Sequence, residues 1–265
     1  MQKPSAPIGV FDSGVGGLSV LRELRQLLPK EDFLFFADQA HVPYGEKNQL
    51  ELEDLTSRIA LFLLERKVKL IVIACNTATC YAIDTLRERF SVPFVGVVPA
   101  VKPAVAQSVR KVVAILSTPA TAKSPALQKL VDDFASDAQV LRIGCAGLED
   151  AVEAGSIDSP ETLRLLALYV SLAMDQEADQ IVLGCTHYPF LRDQIQKLAG
   201  PHVDIVDSGK AVARRTHYLL DRLNLFRYRQ KNGRVTYFTT GDPITFSQVA
   251  SKLLKCRIRA SRVVI

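Results

Sequence analysis

The sequence predicts an α/β protein with mostly parallel sheets flanked by helices, built as two halves on one plan. Three observations predict it. Short apolar, β-branched runs alternate with helix-spaced segments through most of the 265 residues. The runs show little inside–outside alternation, which suits strands covered on both faces by crossover helices. A strand-end pattern also recurs: Ile71-Val72-Ile73-Ala74-Cys75-Asn76-Thr77 is echoed by Ile181-Val182-Leu183-Gly184-Cys185-Thr186-His187. A second echo links Val10-Phe11-Asp12-Ser13-Gly14 with Ile205-Val206-Asp207-Ser208-Gly209. Ligands of open α/β sheets bind beyond the carboxyl ends of the strands. A cleft between two such halves would therefore set Cys75 opposite Cys185.

In chain order, the apolar run Ile8–Phe11 predicts a first strand, followed by a glycine-rich turn and a helix over Leu18–Leu28. Phe33–Ala37 is the second strand, followed by a long polar loop and a helix over Leu50–Lys67. Leu70–Ala74 leads into a helix at Thr77–Arg89, where Asn76 and Thr77 are natural caps. Strands follow at Phe94–Val98, Val112–Leu116 and Val140–Ile143, with a helix at Ser124–Phe134. A helix over Pro160–Gln176 precedes the strand Ile181–Gly184. A helix at Phe190–Leu198 and a strand at Val203–Val206 come next. The tail predicts a helix over Lys210–Leu225, a strand at Arg234–Thr239, a helix at Ile244–Leu254 and a β-like end, Arg257–Ile265.

Composition narrows the function. Hydrophobic residues make up 48% and charged residues 23%, an ordinary soluble balance. No stretch approaches the roughly 20 apolar residues of a membrane helix, and residues 1–7 lack a signal-like core, so the expectation is a cytoplasmic protein with no membrane partner. The net charge of +5 is concentrated near the C-terminus without a nucleic-acid motif. It reads as a solvated basic face rather than a nucleic-acid surface. Five widely spaced cysteines argue against a disulfide framework. With neither a CxxC pair nor HExxH, metal ligation has no support.

Cys75 and Cys185 both follow buried strands and precede small polar groups. A thiol at a helix N-terminus has its thiolate stabilised by the dipole and by free N–H groups. Core packing is the competing role for any cysteine, and it suits Cys80, Cys145 and Cys256 better. His187, two residues beyond Cys185, can assist that thiol. Asp12 and Ser13 open a turn whose glycines, Gly14, Gly16 and Gly17, would let the backbone approach a ligand, and an anion would suit the helix start. The turn is neither GxGxxG nor a Walker loop, since no lysine follows the glycines, so a nucleotide site is poorly supported. In the loop 37–45, Pro43 and Gly45 would turn Tyr44 or backbone amides toward the cleft.

These residues resemble one family, the glutamate racemases of the aspartate/glutamate racemase group. The matching stretches are Gly9–Gly17, His41–Lys47, Ala74–Ala78, Pro99–Ala104, Leu183–Phe190 and Val206–Ala211, in order along nearly the whole chain. The resemblance implies two pseudo-symmetric domains, residues 1–98 plus 212–265 and residues 99–211, with the active site in the cleft between them. It implies cofactor-independent interconversion of L- and D-glutamate, with Cys185 deprotonating the L form and Cys75 the D form. Asp12 and His187 would assist, and Glu153 would be a further cleft carboxylate. Substrate contacts would come from Asp12, Ser13, Pro43, Tyr44, Gly45, Asn76, Thr77, Thr118, Thr121, Thr186 and His187. No cofactor or metal is expected, the assembly would be a homodimer, and D-glutamate would supply peptidoglycan synthesis. Competing readings are a relative acting on aspartate or a hydantoin, a two-domain binding protein with core cysteines, and a thiol redox protein using Cys75 and Cys80.

Overall fold

The computed structural model describes residues 3–265. The chain begins β1 (Ile8–Asp12), α1 (Leu18–Leu27), β2 (Phe33–Ala37), α2 (Gln49–Glu65), β3 (Leu70–Ile73), α3 (Asn76–Arg89) and β4 (Phe94–Gly96). It continues through α4 (Val101–Gln107), β5 (Val112–Ser117), α5 (Pro119–Lys123), α6 (Pro125–Phe134), β6 (Gln139–Gly144) and α7 (Leu148–Glu153). Then come α8 (Pro160–Met174), β7 (Gln180–Leu183), α9 (Arg192–Ala199) and β8 (Asp204–Val206). The tail adds α10 (Gly209–Arg222), β9 (Val235–Thr239), α11 (Pro243–Leu254) and β10 (Ala260–Arg262). Each strand expected from the apolar runs is present with ends shifted by a residue or two, and the β-like end Arg257–Ile265 shortens to β10. Short helices α4, α5 and α7 escaped the pattern because seven, five and six residues scarcely display a helical period.

The strands form two sheets, ordered β10-β9-β2-β1-β3-β4 and β6-β5-β7-β8. Every pairing is parallel. The order β2-β1-β3-β4 in one sheet repeats as β6-β5-β7-β8 in the other, so β3 corresponds to β7. Cys75 and Cys185 therefore leave equivalent strands, as their echo implies.

The second echo does not share that equivalence. The counterpart of β1 is β5, so Asp12-Ser13 corresponds to Ser117-Thr118 rather than to Asp207-Ser208. The shared Asp-Ser-Gly reflects similar turns: Asp12 Oδ1 accepts the Ser13 amide at 2.7 Å, and Asp207 Oδ1 accepts the Gly209 amide at 2.9 Å. Short aspartate side chains commonly bond nearby backbone in this way.

Central strands β1, β3 and β7 are buried along their whole length, whereas the edge strand β6 is largely exposed. The largest apolar cluster joins both sheets: Val15, Leu18 and Ala74 pack in the same core as Leu116, Leu148, Leu183 and Tyr188. The chain crosses between sheets after β4 and returns after β8. There the Ser208 hydroxyl donates to the Val98 carbonyl at 2.5 Å.

Lys69 is fully buried, and its Nζ donates to Glu31 at 2.5 Å and to the carbonyls of Pro4 and Leu225. All three ammonium protons are thus used, which a buried charge requires. Part of the basic tail also turns inward, against the expectation of a solvated face. Arg227 and Arg229 both pair with Asp32 and fasten the tail beside β2. No helix among the described residues is long and apolar enough to cross a membrane.

Candidate active site

Cys75 and Cys185 together line one narrow cavity at the carboxyl ends of β3 and β7. The sequence expectation made Asn76 or Thr77 the cap of α3. The N-cap is Cys75 itself, extended at φ −137°, and its Sγ accepts the Ala78 N–H at 3.5 Å. A helix N-terminus favours the thiolate. Here it is outweighed: burial pushes the Cys75 thiol well up, and the nearby Asp12 charge raises it further. Ser13 Oγ lies 3.9 Å from the sulfur. Asp12 is fully buried, accepts the Thr186 hydroxyl at 3.1 Å, and is itself raised by burial.

Cys185 has different surroundings. No α-helix starts at it; a 3-10 turn over Tyr188–Leu191 intervenes before α9, with Pro189 at its start. His187 Nδ1 lies 3.6 Å from Cys185 Sγ, and its Nε2 lies 2.7 Å from Glu153 Oε1. Burial raises the Cys185 thiol, but the His187 imidazole opposes that shift. For His187, burial disfavours the charged ring, yet the contacts to Cys185 and Glu153 win and lift it well above its ordinary value. Glu153 ends below its ordinary value because His187, Gln39 and the Val15 amide together outweigh its burial.

The glycine-rich turn after β1 seats this carboxylate. Val15 N–H donates to Glu153 Oε1 at 2.6 Å, and Gln39 Nε2 donates to Oε2 at 2.7 Å. A Cβ on Gly14 would lie 1.8 Å from Glu153 Oε1, and one on Gly16 would lie 2.4 Å from His187 Nδ1. The two glycines are therefore the space into which the His187–Glu153 pair fits. The anion that meets the backbone of this turn is the protein's own Glu153 carboxylate.

The remaining candidates divide by position. Ser13, Pro43, Tyr44 and Gly45 line the cavity, as do Asn76, Thr77, Thr118, Thr186 and His187. Asn76 Nδ2 is buried without a hydrogen-bond partner. Tyr44 is buried, and its hydroxyl donates to Asp38 at 2.7 Å, so its ring rather than its hydroxyl serves the wall. Asp12 and Thr121 do not line the cavity. Thr121 is fully buried behind Thr77 and Thr118, in a ring of three hydroxyls spaced 3.0 to 3.2 Å apart.

Two wall residues went unrecognised in the sequence, Val42 and Glu149. Glu149 and Glu153 are four apart on α7, a spacing that puts both on one helix face; that pairing was the available signal. All five cysteines are free. Cys145 is buried and donates to the Ile143 carbonyl, as packing predicts, and Cys80 is partly buried in α3. Cys256 is exposed, so it fills no core.

A sequence model of the Asp/Glu/Hydantoin racemase family matches residues 8–216. A glutamate racemase from Herpetosiphon aurantiacus is 49% identical over 243 residues, spanning 92% of this chain and 96% of that protein. Among solved structures, a glutamate racemase isoform from Bacillus anthracis superposes with a TM-score of 0.90 at 28% identity, covering 98% of each chain. A glutamate racemase from Francisella tularensis, solved in complex with D-glutamate, superposes with a TM-score of 0.85 at 28% identity, again over 98% of each chain. With a family match over most of its length, a near-half-identical relative and matching folds, this chain belongs to the Asp/Glu/Hydantoin racemase family.

Proposed function

We propose that this chain is a glutamate racemase that moves the Cα proton between Cys75 and Cys185 without a cofactor. The observation that carries the reading is the pairing of two buried cysteines from equivalent strands on one cavity, each beside a different charged partner. Racemisation removes a proton from one face of Cα and returns one to the other, so two groups on opposite faces suffice. One must start as a thiolate and the other as a thiol.

The two settings favour that division. His187, held by Glu153, draws Cys185 toward the thiolate. Burial, with the Asp12 charge beside it, disfavours the Cys75 thiolate. With L-glutamate bound, the Cys185 thiolate takes the Cα proton and becomes a thiol. Cys75 then gives its proton to the opposite face of the carbanion and becomes the thiolate. The D-to-L direction reverses these steps. The α-proton is weakly acidic, so the carbanion needs donors around the α-carboxylate in a site that excludes water. Asn76 Nδ2 and the backbone N–H groups at the start of α3 are suited to this.

The organisation we favour places residues 1–98 plus 212–265 around the first sheet and residues 99–211 around the second. The product D-glutamate would serve peptidoglycan synthesis in the cytoplasm.

The test is incubation with L-glutamate in D₂O without added cofactor, following optical rotation and loss of the α-proton signal. Wild type should racemise and exchange, and Cys75→Ser and Cys185→Ser should each lose racemisation while keeping the native circular-dichroism spectrum. Exchange with aspartate but not glutamate would overturn the substrate. A requirement for pyridoxal phosphate or a metal would overturn the mechanism. A binding protein would show no exchange at all.

A further inference from the structure

Glu149 is the only carboxylate among the described residues that line the cavity, and the proton relay above does not use it. It lies in the first turn of α7 and is 7% exposed, and its one hydrogen-bond partner is the Tyr188 hydroxyl at 3.4 Å. A Cβ on Gly45 would lie 3.4 Å from its Oε1 and 3.2 Å from the Thr118 Cβ. The carboxyl group therefore stands at the end of the cavity formed by Gly45 and Thr118.

The groups that face it are Asp150 on α7, Cys145 before α7, Tyr169 on α8, and Cys185, His187 and Tyr188 after β7. Only His187 is a potential cation, and it is already engaged by Cys185 and Glu153. Neither lysine nor arginine lines the cavity. A buried carboxyl without its own cation is more stable neutral, and burial raises this one against the lowering pull of His187. As a carboxylic acid it is a donor.

On the racemase reading, the substrate's Cα sits between the two sulfurs, and its α-carboxylate faces Asn76 and the start of α3. The Gly45–Thr118 end is left for the side chain. We propose that Glu149, as a neutral carboxylic acid, donates a hydrogen bond to the distal carboxylate of the substrate and so selects for a dicarboxylic amino acid. An ionised Glu149 would set like charges together in a poorly solvated site, so binding and loss of its proton oppose each other. KM for glutamate should therefore rise as pH climbs through the Glu149 value.

The test is KM and kcat for L-glutamate across pH for wild type, Glu149→Gln and Glu149→Val, with thermal melts to verify folding. Gln, a neutral donor of the same shape, should raise KM by about threefold and abolish its rise with pH. Val should raise KM by about tenfold or more while changing kcat less, the scale of a lost hydrogen bond to a charged group. The proposal is overturned if Gln harms KM as much as Val, which would make Glu149 an anion for the ammonium group. It is equally overturned if Val leaves KM unaltered, or if the wild-type KM shows no rise with pH. Failure of wild type to exchange the α-proton of glutamate would instead sink the racemase reading on which this rests.

Discussion

His187 Nε2 and Glu153 Oε1 lie 2.7 Å apart, and the same carboxylate oxygen accepts the Val15 amide 138 residues away in sequence. One hydrogen bond thus orients the imidazole beside Cys185, and the other anchors the carboxylate to the turn after β1. Such a carboxylate fixes the ring's orientation and stabilises its charged form.

Replacing Glu153 with Gln should remove that charge support while nearly preserving shape. Racemisation should fall by roughly 10²-fold, the lower range for a positioned acid–base group. The sign of the pH dependence follows from each partner. Glu153 is held below its ordinary 4.5, so its stabilisation is complete above that value and lost as pH falls through the folded one. His187 is lifted above its ordinary 6.5, so its stabilisation is complete below 6.5 and lost as pH rises through the folded value. The Tm difference between wild type and Glu153→Gln should therefore be greatest between pH 4.5 and 6.5. A difference independent of pH would show that the pair is not ionised.

Gly14→Ala should be costly although its backbone conformation is ordinary. The added Cβ would fall 1.8 Å from Glu153 Oε1, and that carboxylate is fixed by three hydrogen bonds. Overpacking a tight site costs about 1–3 kcal/mol, and the shift would also displace His187. Denaturant unfolding and kcat should both fall. A variant with wild-type kcat would mean that Glu153 can move without consequence.

Thr118 and Thr121 should separate in kinetics. Thr118→Val removes a hydroxyl that borders the cavity and should raise KM by about tenfold, the scale of one hydrogen bond to a charged group. Thr121→Val alters only the hydroxyl ring behind the wall. It should lower Tm while leaving KM within about threefold of wild type. Equal KM changes in the two variants would place Thr121 in contact with substrate.

Much of this was legible in the sequence because it is local. Buried parallel strands such as β1, β3 and β7 are continuous apolar runs that the local sequence pattern locates, and the Cys75 and Cys185 strand ends announced themselves by repetition. The echo of Asp12-Ser13-Gly14 misled for the same reason: a turn motif reports local backbone chemistry, not topological equivalence. Thr118, the true counterpart of Ser13, shares no motif with it.

The sequence by itself determined the α/β class, the strand positions and the two thiols at equivalent strand ends, since nearest-neighbour patterning encodes all of these. Tertiary structure alone decided the difference between the thiols. A cysteine's ease of ionisation depends on burial and on charges brought to it from elsewhere in the chain. Cys75 meets Asp12 from β1, whereas Cys185 meets His187 backed by Glu153 from α7. Packing likewise turned the glycines after β1 into the seat of a carboxylate, and brought Glu149 to the cavity wall. Apart from His187, which the sequence already sets two residues beyond Cys185, those contacts join segments far apart along the chain, and no local pattern records them.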